Sequence, residues 1–223
     1  MTASLTARRR PPASGTTRSA VIFLHGYGAD GADLLGLADP LAPHMPDTAF
    51  HAPDAPERCA ASPFGFQWFP IPWIDGSSEA AAEASMATSL AALSAYVQGV
   101  LDSEALAEDR LILFGFSQGT MMSLHLAPRW PSPFAGVVGF SGRLMAPERL
   151  VSETVSRPPV LLVHGDADDV VPFADMELAG RALSDAGFTT YAHRMAGTGH
   201  GIAPDGLSVA LAFMRDCLGG TAR

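Results

Sequence analysis

The sequence has few cysteines and few positive charges, and both shortages exclude classes of protein. Its only cysteines, Cys59 and Cys217, are far apart and belong to no CxxC or Cys/His pattern, so we expect free thiols and no metal site. Lysine and arginine total 14 against 23 Asp and Glu, a formal net charge of −9. Because nucleic-acid affinity comes mainly from clustered basic side chains, we expect no nucleic-acid partner.

Long apolar runs are also missing. Uninterrupted ones such as residues 21–24 and 159–163 are far shorter than the roughly 20 residues that cross a bilayer. They predict buried strands, and we expect no integral membrane association. Residues 1–20 include three consecutive arginines but not the apolar stretch of a secretory signal, so we expect a cytoplasmic location.

Composition and length favour a globular α/β protein. Hydrophobic residues make up 48% of the 223 residues and charged residues 17%, a balance typical of a folded domain that can bury a sizeable core. Residues 1–18 are rich in Pro, Ser, Thr and Arg, which predicts a loose N-terminal tail with room for one edge strand. Residues 19–223 are expected to form a single domain.

Apolar segments of strand length alternate with helical patterns along the chain. This alternation predicts a mostly parallel central sheet with helices on both faces. The predicted strands are 20–25, 48–51, 111–114, 136–140, 160–164 and 189–194, and the predicted helices are 79–101, 120–127, 174–186 and 204–218. Residues 51–78 hold five prolines among aromatic side chains. They predict a long ordered loop, which either serves as a binding loop or lid or simply packs its aromatic side chains.

The strongest chemical signal is a serine between two glycines after an apolar strand. Residues 111–119 read LILFGFSQG, in which the strand pattern ends in G-x-S-x-G and a helical pattern follows. This context is typical of a nucleophile elbow, where Gly115 and Gly119 leave room for a tight turn and the serine projects from it. We therefore predict Ser117 as a nucleophile.

A serine hydroxyl is a weak nucleophile at neutral pH, so it needs a base, and the base needs an acid to hold its tautomer. His200, between glycines in AGTGHG, is the best candidate base, and most of the other histidines are interpreted as structural. The candidate acids are Asp166, Asp168 and Asp169, which follow the strand at 160–164. Spacing alone leaves these three open, although the order Ser, Asp, His is that of α/β-hydrolases.

Two backbone N–H groups are predicted to bind the oxyanion of the tetrahedral intermediate. One belongs to Gln118, the residue after the nucleophile, and the other to Tyr27 in the glycine-rich turn LHGYG at 24–28. The alternative for the second is a simple tight turn. Met121 is a candidate for lining an acyl pocket, although a methionine at such a position is more often a core residue.

Four segments together resemble the phospholipase/carboxylesterase family, which includes the acyl-protein thioesterases. They are LHGYGADGADL at 24–34, GFSQGTMMSL at 115–124, HGDADDVVP at 164–172 and GTGHG at 197–201. The resemblance implies an α/β-hydrolase fold with no substantial cap domain and no cofactor. It also implies that Asp168 is the acid, because the aspartate of the family's H-G-x-x-D falls there, and that His200 is the base. Trp68 and Phe69 match the aromatic segment that lies near the acyl site in this family.

The expected function is a serine carboxylic-ester hydrolase that works through an acyl-enzyme intermediate. A lysophospholipase, an acyl-protein thioesterase and a small peptidase are alternatives, because each would use the same three residues on a different leaving group. Two other classes are a non-catalytic binding module with the same fold and an acyltransferase. The expected substrate is a small-molecule or lipid acyl ester, or an acylated protein, and the chain is expected to be a monomer or a homodimer.

Overall fold

The computed structural model describes residues 5–219, which contain nine strands and eight α-helices. In chain order they are β1 (Ala7–Arg10), β2 (Ser19–Leu24), α1 (Gly31–Leu35), α2 (Ala38–Leu41), β3 (Thr48–Pro53), β4 (Glu57–Arg58), β5 (Phe66–Gln67), α3 (Pro72–Asp75), α4 (Glu79–Glu104), β6 (Leu111–Phe116), α5 (Gln118–Leu126), β7 (Gly136–Phe140), α6 (Pro147–Glu153), β8 (Val160–Gly165), α7 (Ala174–Asp185), β9 (Thr190–Met195) and α8 (Pro204–Gly219). They form two compact units, the first ending at Leu106 and the second beginning at Ala107. The single domain expected for residues 19–223 stays a prediction.

In the first unit, β3 lies between β1 and β2. β2 runs parallel to β3, and every residue of both strands is buried. β1 runs antiparallel to β3, with Ala7 opposite Pro53 and Arg10 opposite Phe50. The edge strand for which residues 1–18 left room is therefore present. Arg8 adds a side-chain anchor, because its guanidinium donates to the buried carboxylate of Asp54 at 2.8 Å.

A buried carboxylate at the end of α4 ties β1 and β3 to that helix. Glu104 accepts hydrogen bonds from Arg9 at 2.6 and 3.0 Å and from the Thr17 hydroxyl at 2.9 Å, and it lies 2.9 Å from Nε2 of His51. The hydrogen bond from Arg9 is the largest influence on the pKa of Glu104, and with Thr17 it outweighs burial and lowers that pKa to about 2. The ionised form of Glu104 therefore stabilises the folded unit.

The segment predicted as one long loop, residues 51–78, is more regular than expected. β3 continues to Pro53, β4 and β5 pair antiparallel, and α3 follows. The expectation of one long loop is therefore wrong in part. The sequence did not reveal these elements, because strands of two residues and a helix of four are too short to produce a recognisable apolar period.

α4 is by length and composition apolar enough to cross a membrane. The interpretation based on uninterrupted apolar runs does not single it out, because serines and glutamates interrupt its sequence. One face of the helix is buried within the protein: Ala82, Ser89, Ala92, Leu93, Val97, Val100 and Leu101. The Ser89 hydroxyl on that face donates to the carbonyl of Trp68, a contact expected of a core helix.

The second unit holds four parallel strands in the order β6, β7, β8, β9. Helices lie in each connection between them, as βαβ topology requires. Since all four strands point the same way, the residues that follow them meet at one edge of this sheet, where α/β proteins bind ligands. The chain continues there with Ser117, Ser141, Asp166 and Ala196.

We predict that Glu104→Gln lowers the free energy of unfolding by about 3 kcal/mol at pH 7, because the pKa of Glu104 lies near 2 in the folded state against 4.5 in its ordinary state. A lowered folded pKa gives stability that is full above the unfolded value and is lost as the pH falls toward the folded value. The difference from wild type should therefore shrink steadily between pH 5 and pH 2. Urea unfolding at a series of pH values measures it.

Glu83→Gln is the matched control, because Glu83 is an exposed carboxylate on the same helix. It should unfold like wild type at each pH. A Glu104→Gln variant as stable as wild type at pH 7 would contradict the stabilising role of the ionised carboxylate.

Candidate active site

Ser117 lies in a strained turn between β6 and α5. Its backbone has φ 53° and ψ −114°, in the positive-φ region that residues other than glycine rarely adopt. A Cβ added at Gly115 would overlap the backbone of Gly119 and Thr120, so only glycine permits this close approach of helix to strand. The predicted elbow is therefore present in its geometry.

The carbonyl of Phe140 holds the elbow from the neighbouring strand. It accepts a hydrogen bond from the Ser117 N–H at 2.8 Å and another from the Thr120 hydroxyl at 2.8 Å. Two donors from the turn thus converge on the end of β7. The position of Ser117 is fixed by the sheet as well as by the turn itself.

Asp168 lies in the loop after β8, and its side chain is fully buried. Its Oδ1 accepts the N–H groups of Val170 and Val171, both at 2.9 Å, and its Oδ2 accepts Nδ1 of His200 at 2.8 Å. Burial acts to raise the pKa of Asp168, but the hydrogen bonds from His200, Val171 and Val170 outweigh it and lower the pKa from its ordinary value. The carboxylate is therefore held in its charged form.

The two neighbouring candidate acids have other surroundings. Asp166 accepts the N–H of Gly197 at 2.6 Å and lies 3.8 Å from Arg194, and Asp169 is exposed. Of the three aspartates that spacing leaves open, Asp168 is the one in contact with His200.

His200 lies in the loop between β9 and α8, which packs closely on the end of β8. Ala167 donates its N–H to the Thr198 carbonyl at 3.0 Å, and a Cβ at Gly165 would overlap that same carbonyl. The imidazole ring lies 4.9 Å from the ring of Phe116, the residue before Ser117. Since Nδ1 is engaged by Asp168, Nε2 is the nitrogen left for proton transfer.

The structure brings together Asp168 and His200, and it sets the His200 ring against the residue that precedes Ser117. Within residues 5–219, no hydrogen bond joins the Ser117 hydroxyl to His200. A catalytic hydrogen bond of this kind often forms fully only in the complex with substrate.

The two residues predicted as oxyanion donors belong to different units of the fold. Gln118 is the first residue of α5, where backbone N–H groups point out of the helix. In the other unit, Tyr27 lies in a turn whose Gly28 N–H is bonded to the Phe66 carbonyl at 2.8 Å. For the Tyr27 N–H the described part of the chain contains no acceptor.

The predicted substrate contacts are all largely buried. The Trp68 indole is fully buried and donates to the His25 carbonyl at 3.0 Å, and its contact with substrate stays a prediction. Phe69 and Met121 are each 7% exposed and stay predictions.

Most of the other histidines have structural surroundings, as the sequence interpretation expects. His25 accepts the N–H of Ala55 at 2.9 Å, His51 contacts Glu104, and His193 contacts Asp205 at 3.0 Å. His164 differs, because the buried ring lies 3.1 Å from the carboxylate of Asp168. The interpretation from sequence missed this contact, for which the four-residue spacing in HGDAD was the available signal. No group of three His, Cys, Asp or Glu side chains suited to a metal occurs among the residues described.

Comparison with known proteins points in one direction. Residues 12–218 match the family described as Phospholipase/Carboxylesterase. Acyl-protein thioesterase 1 of Neurospora crassa is 29% identical to this chain, and the alignment covers 95% of this chain and 93% of the relative. Acyl-protein thioesterase 1 of Eremothecium gossypii is 30% identical, over 94% and 90%.

Solved structures agree with the sequence relatives. The crystal structure of esterase PE8 has a TM-score of 0.92 and 42% identity, and the alignment covers 97% of this chain and 100% of that one. Acyl-protein thioesterase 2 of Zea mays has a TM-score of 0.75 and 26% identity, with 96% and 99% covered. The predicted α/β-hydrolase fold with a mostly parallel sheet is confirmed, and residues 5–219 contain no large cap domain.

We predict that Gly115→Ala destabilises the protein by about 2–4 kcal/mol, because the added methyl group meets backbone that cannot move aside. Thermal and urea unfolding measure this loss. Gly99→Ala is the control, since Gly99 lies in α4 with open space where a Cβ would be added. Alanine there should raise the free energy of unfolding by at most about 1 kcal/mol. An unchanged unfolding midpoint for Gly115→Ala would show that the elbow relaxes around a side chain.

Proposed function

This chain belongs to the phospholipase/carboxylesterase family, and from that premise we propose that it is a carboxylesterase in which Ser117, His200 and Asp168 form the catalytic triad. As a member of this family it is a serine hydrolase that acts on acyl esters. The observation that carries the proposal is the 2.8 Å hydrogen bond between the buried Asp168 and His200, next to the residue that precedes the Ser117 elbow.

In the first half of the proposed reaction, Ser117 attacks the acyl carbonyl while Nε2 of His200 takes its proton. Asp168 holds the proton on Nδ1 and stabilises the imidazolium that forms. The lowered pKa of Asp168 supports this role, because the carboxylate stays ionised at neutral pH. The imidazolium then gives its proton to the leaving alcohol, and the acyl group remains on Ser117.

In the second half, water attacks the acyl-enzyme by the same route, with His200 again as base. The proposal assigns the oxyanion of each tetrahedral intermediate to the N–H groups of Gln118 and Tyr27. The position of Gln118 at the start of a helix supports the first assignment, because helix N-termini favour negative charge. The absence of an acceptor for the Tyr27 N–H among the described residues supports the second.

A protein-deacylating thioesterase is the second candidate. Two relatives about 30% identical over more than 90% of this chain are named acyl-protein thioesterase 1. A thioester presents the same carbonyl to Ser117, with a thiolate in place of an alkoxide as leaving group. An acylated protein is then the substrate, whereas the 42% identity to a protein called esterase PE8 supports an ester. For either substrate we propose a cytoplasmic enzyme without a cofactor.

We predict that Ser117→Ala abolishes ester hydrolysis and that Asp168→Asn lowers kcat by about 10⁴-fold, because asparagine favours the wrong tautomer of His200. Hydrolysis of p-nitrophenyl acetate and butyrate measures both. Ser208→Ala and Asp169→Asn are the matched controls, since both residues are exposed and lie outside the site. They should retain wild-type rates. Full activity in Ser117→Ala would overturn the assignment of the nucleophile.

Substrate selection is tested with the same purified protein. We expect kcat/KM to be higher on p-nitrophenyl esters than on a palmitoyl thioester or lysophosphatidylcholine. Initial rates from acetate to palmitate give the chain-length profile. A preference for the thioester would favour the thioesterase over the carboxylesterase as the function. A wild type that is inert on every substrate would favour the non-catalytic binding module.

A further inference from the structure

His164 is a buried histidine that the proposed reaction does not use. It is the fifth residue of β8, four residues before Asp168, and its side chain is 0% exposed. The ring packs edge-on against Phe173, with ring centres 5.9 Å apart at 89°. A polar ring in such a place has to be satisfied by hydrogen bonds, so its contacts identify its role.

Both near contacts of the His164 Nε2 atom are hydrogen-bond acceptors. The carbonyl of Val171 lies at 2.9 Å and Oδ2 of Asp168 at 3.1 Å, so we assign the ring hydrogen to Nε2. Nδ1 is buried and has no partner in the described part of the chain. A second hydrogen there would be a buried donor without an acceptor, so the neutral Nε2–H form is the one that fits.

We propose that His164 is a positioning residue for Asp168, and that its Nε2–H fixes the loop and the carboxylate that hold His200. This inference rests on the proposed function, in which Asp168 is the acid. Val171 links the two ends, because its carbonyl accepts from His164 and its N–H donates to Oδ1 of Asp168. The ring thereby fastens the 168–171 turn to the end of a central strand of the second unit.

The same N–H also acts on the charge of the carboxylate. Oδ2 of Asp168 lies between two imidazoles, His200 at 2.8 Å and His164 at 3.1 Å. The positive end of the His164 N–H offsets part of the negative charge that His200 experiences. Without it, imidazolium at His200 is favoured and the base is lost at a higher pH.

Other charged groups on the surrounding elements have their own partners. Asp166 in the same loop lies 3.8 Å from Arg194 on β9, and Asp175 on α7 lies 2.9 Å from Arg143 after β7. Asp169 is exposed. A change in the titration of His200 in a His164 variant is therefore traced to the contact with Asp168.

His164→Leu removes the donor and His164→Gln keeps one, because the glutamine amide reaches close to the place of the imidazole Nε2. We expect His164→Leu to lower kcat by about 10-fold to 100-fold with little change in KM, because a misplaced acid misorients the base. The acid limb of its pH–rate profile should move up by about half a pH unit. His164→Gln should recover activity to within about threefold of wild type.

His193→Leu is the control, because His193 lies on the neighbouring β9 and pairs with Asp205 instead. It should leave both kcat and the acid limb unchanged. The proposal is overturned by a wild-type kcat and acid limb in His164→Leu. It is equally overturned by a loss in His164→Gln as large as in His164→Leu, since ring packing and not the donor would then matter.

A measurement without substrate separates this inference from the proposed function. Nitrogen-15 NMR of the wild-type histidines should find His164 neutral with its hydrogen on Nε2, and the midpoint of the His200 titration should rise in His164→Leu. A hydrogen on Nδ1 of His164 overturns the inference even if the enzyme is active. An enzyme inert on every ester, with the expected spectra, overturns the function and leaves the positioning role. Should His164→Leu fail to fold, the wild-type tautomer and the activity of His164→Gln still decide.

Discussion

Burial of the Asp168 carboxylate is the constraint around which the loops of the second unit are arranged. A charged carboxylate without solvent is costly unless its oxygens are hydrogen-bonded, and here each oxygen has donors. Two donors are N–H groups of its own turn, one is His200 from the loop after β9, and His164 approaches from β8. One side chain thus connects β8, the turn that follows it and the loop after β9, and the same contacts orient His200.

The steric constraint at Gly115 complements this electrostatic one. A parallel sheet brings the ends of its strands to one edge, but a tight turn is needed there to present a nucleophile. The strained φ of Ser117 is stabilised by bonds to the Phe140 carbonyl, whereas the loop of His200 is stabilised by close packing on Gly165. Backbone contacts therefore fix both halves of the site, and side-chain chemistry is added to a frame that is already rigid.

The frame was largely predictable from sequence, and the exceptions have physical reasons. The strongly apolar segments 111–114 and 160–164 predict β6 and β8 because buried parallel strands are apolar on both faces. Helices α1, α2 and α6 were not predicted, since elements of four to seven residues contain too little of a helical period.

The site, like the fold, could be predicted from the sequence only in part. The glycine spacing around Ser117 and His200 reflects backbone geometry and can be recognised in the sequence, whereas the choice among Asp166, Asp168 and Asp169 needed the family resemblance. Trp68 resembles a substrate contact in sequence, yet its indole is fully buried. Burial of this kind depends on tertiary packing, which a local pattern does not contain.

Two buried carboxylates in this protein show how a structural acid differs from one suited to catalysis. Glu104 is paired with the permanent cation of Arg9, which lowers the pKa of Glu104 to about 2 and neutralises its charge. Asp168 accepts hydrogen bonds from two backbone N–H groups and from His200, the His164 ring lies 3.1 Å away, and no arginine pairs with it among residues 5–219. In the proposed reaction, its negative charge therefore remains available to an imidazolium that forms on His200. A permanent cation at that place would favour neutral His200 but would cancel the stabilisation of its charged form, so hydrogen-bond donors without net charge are the better support.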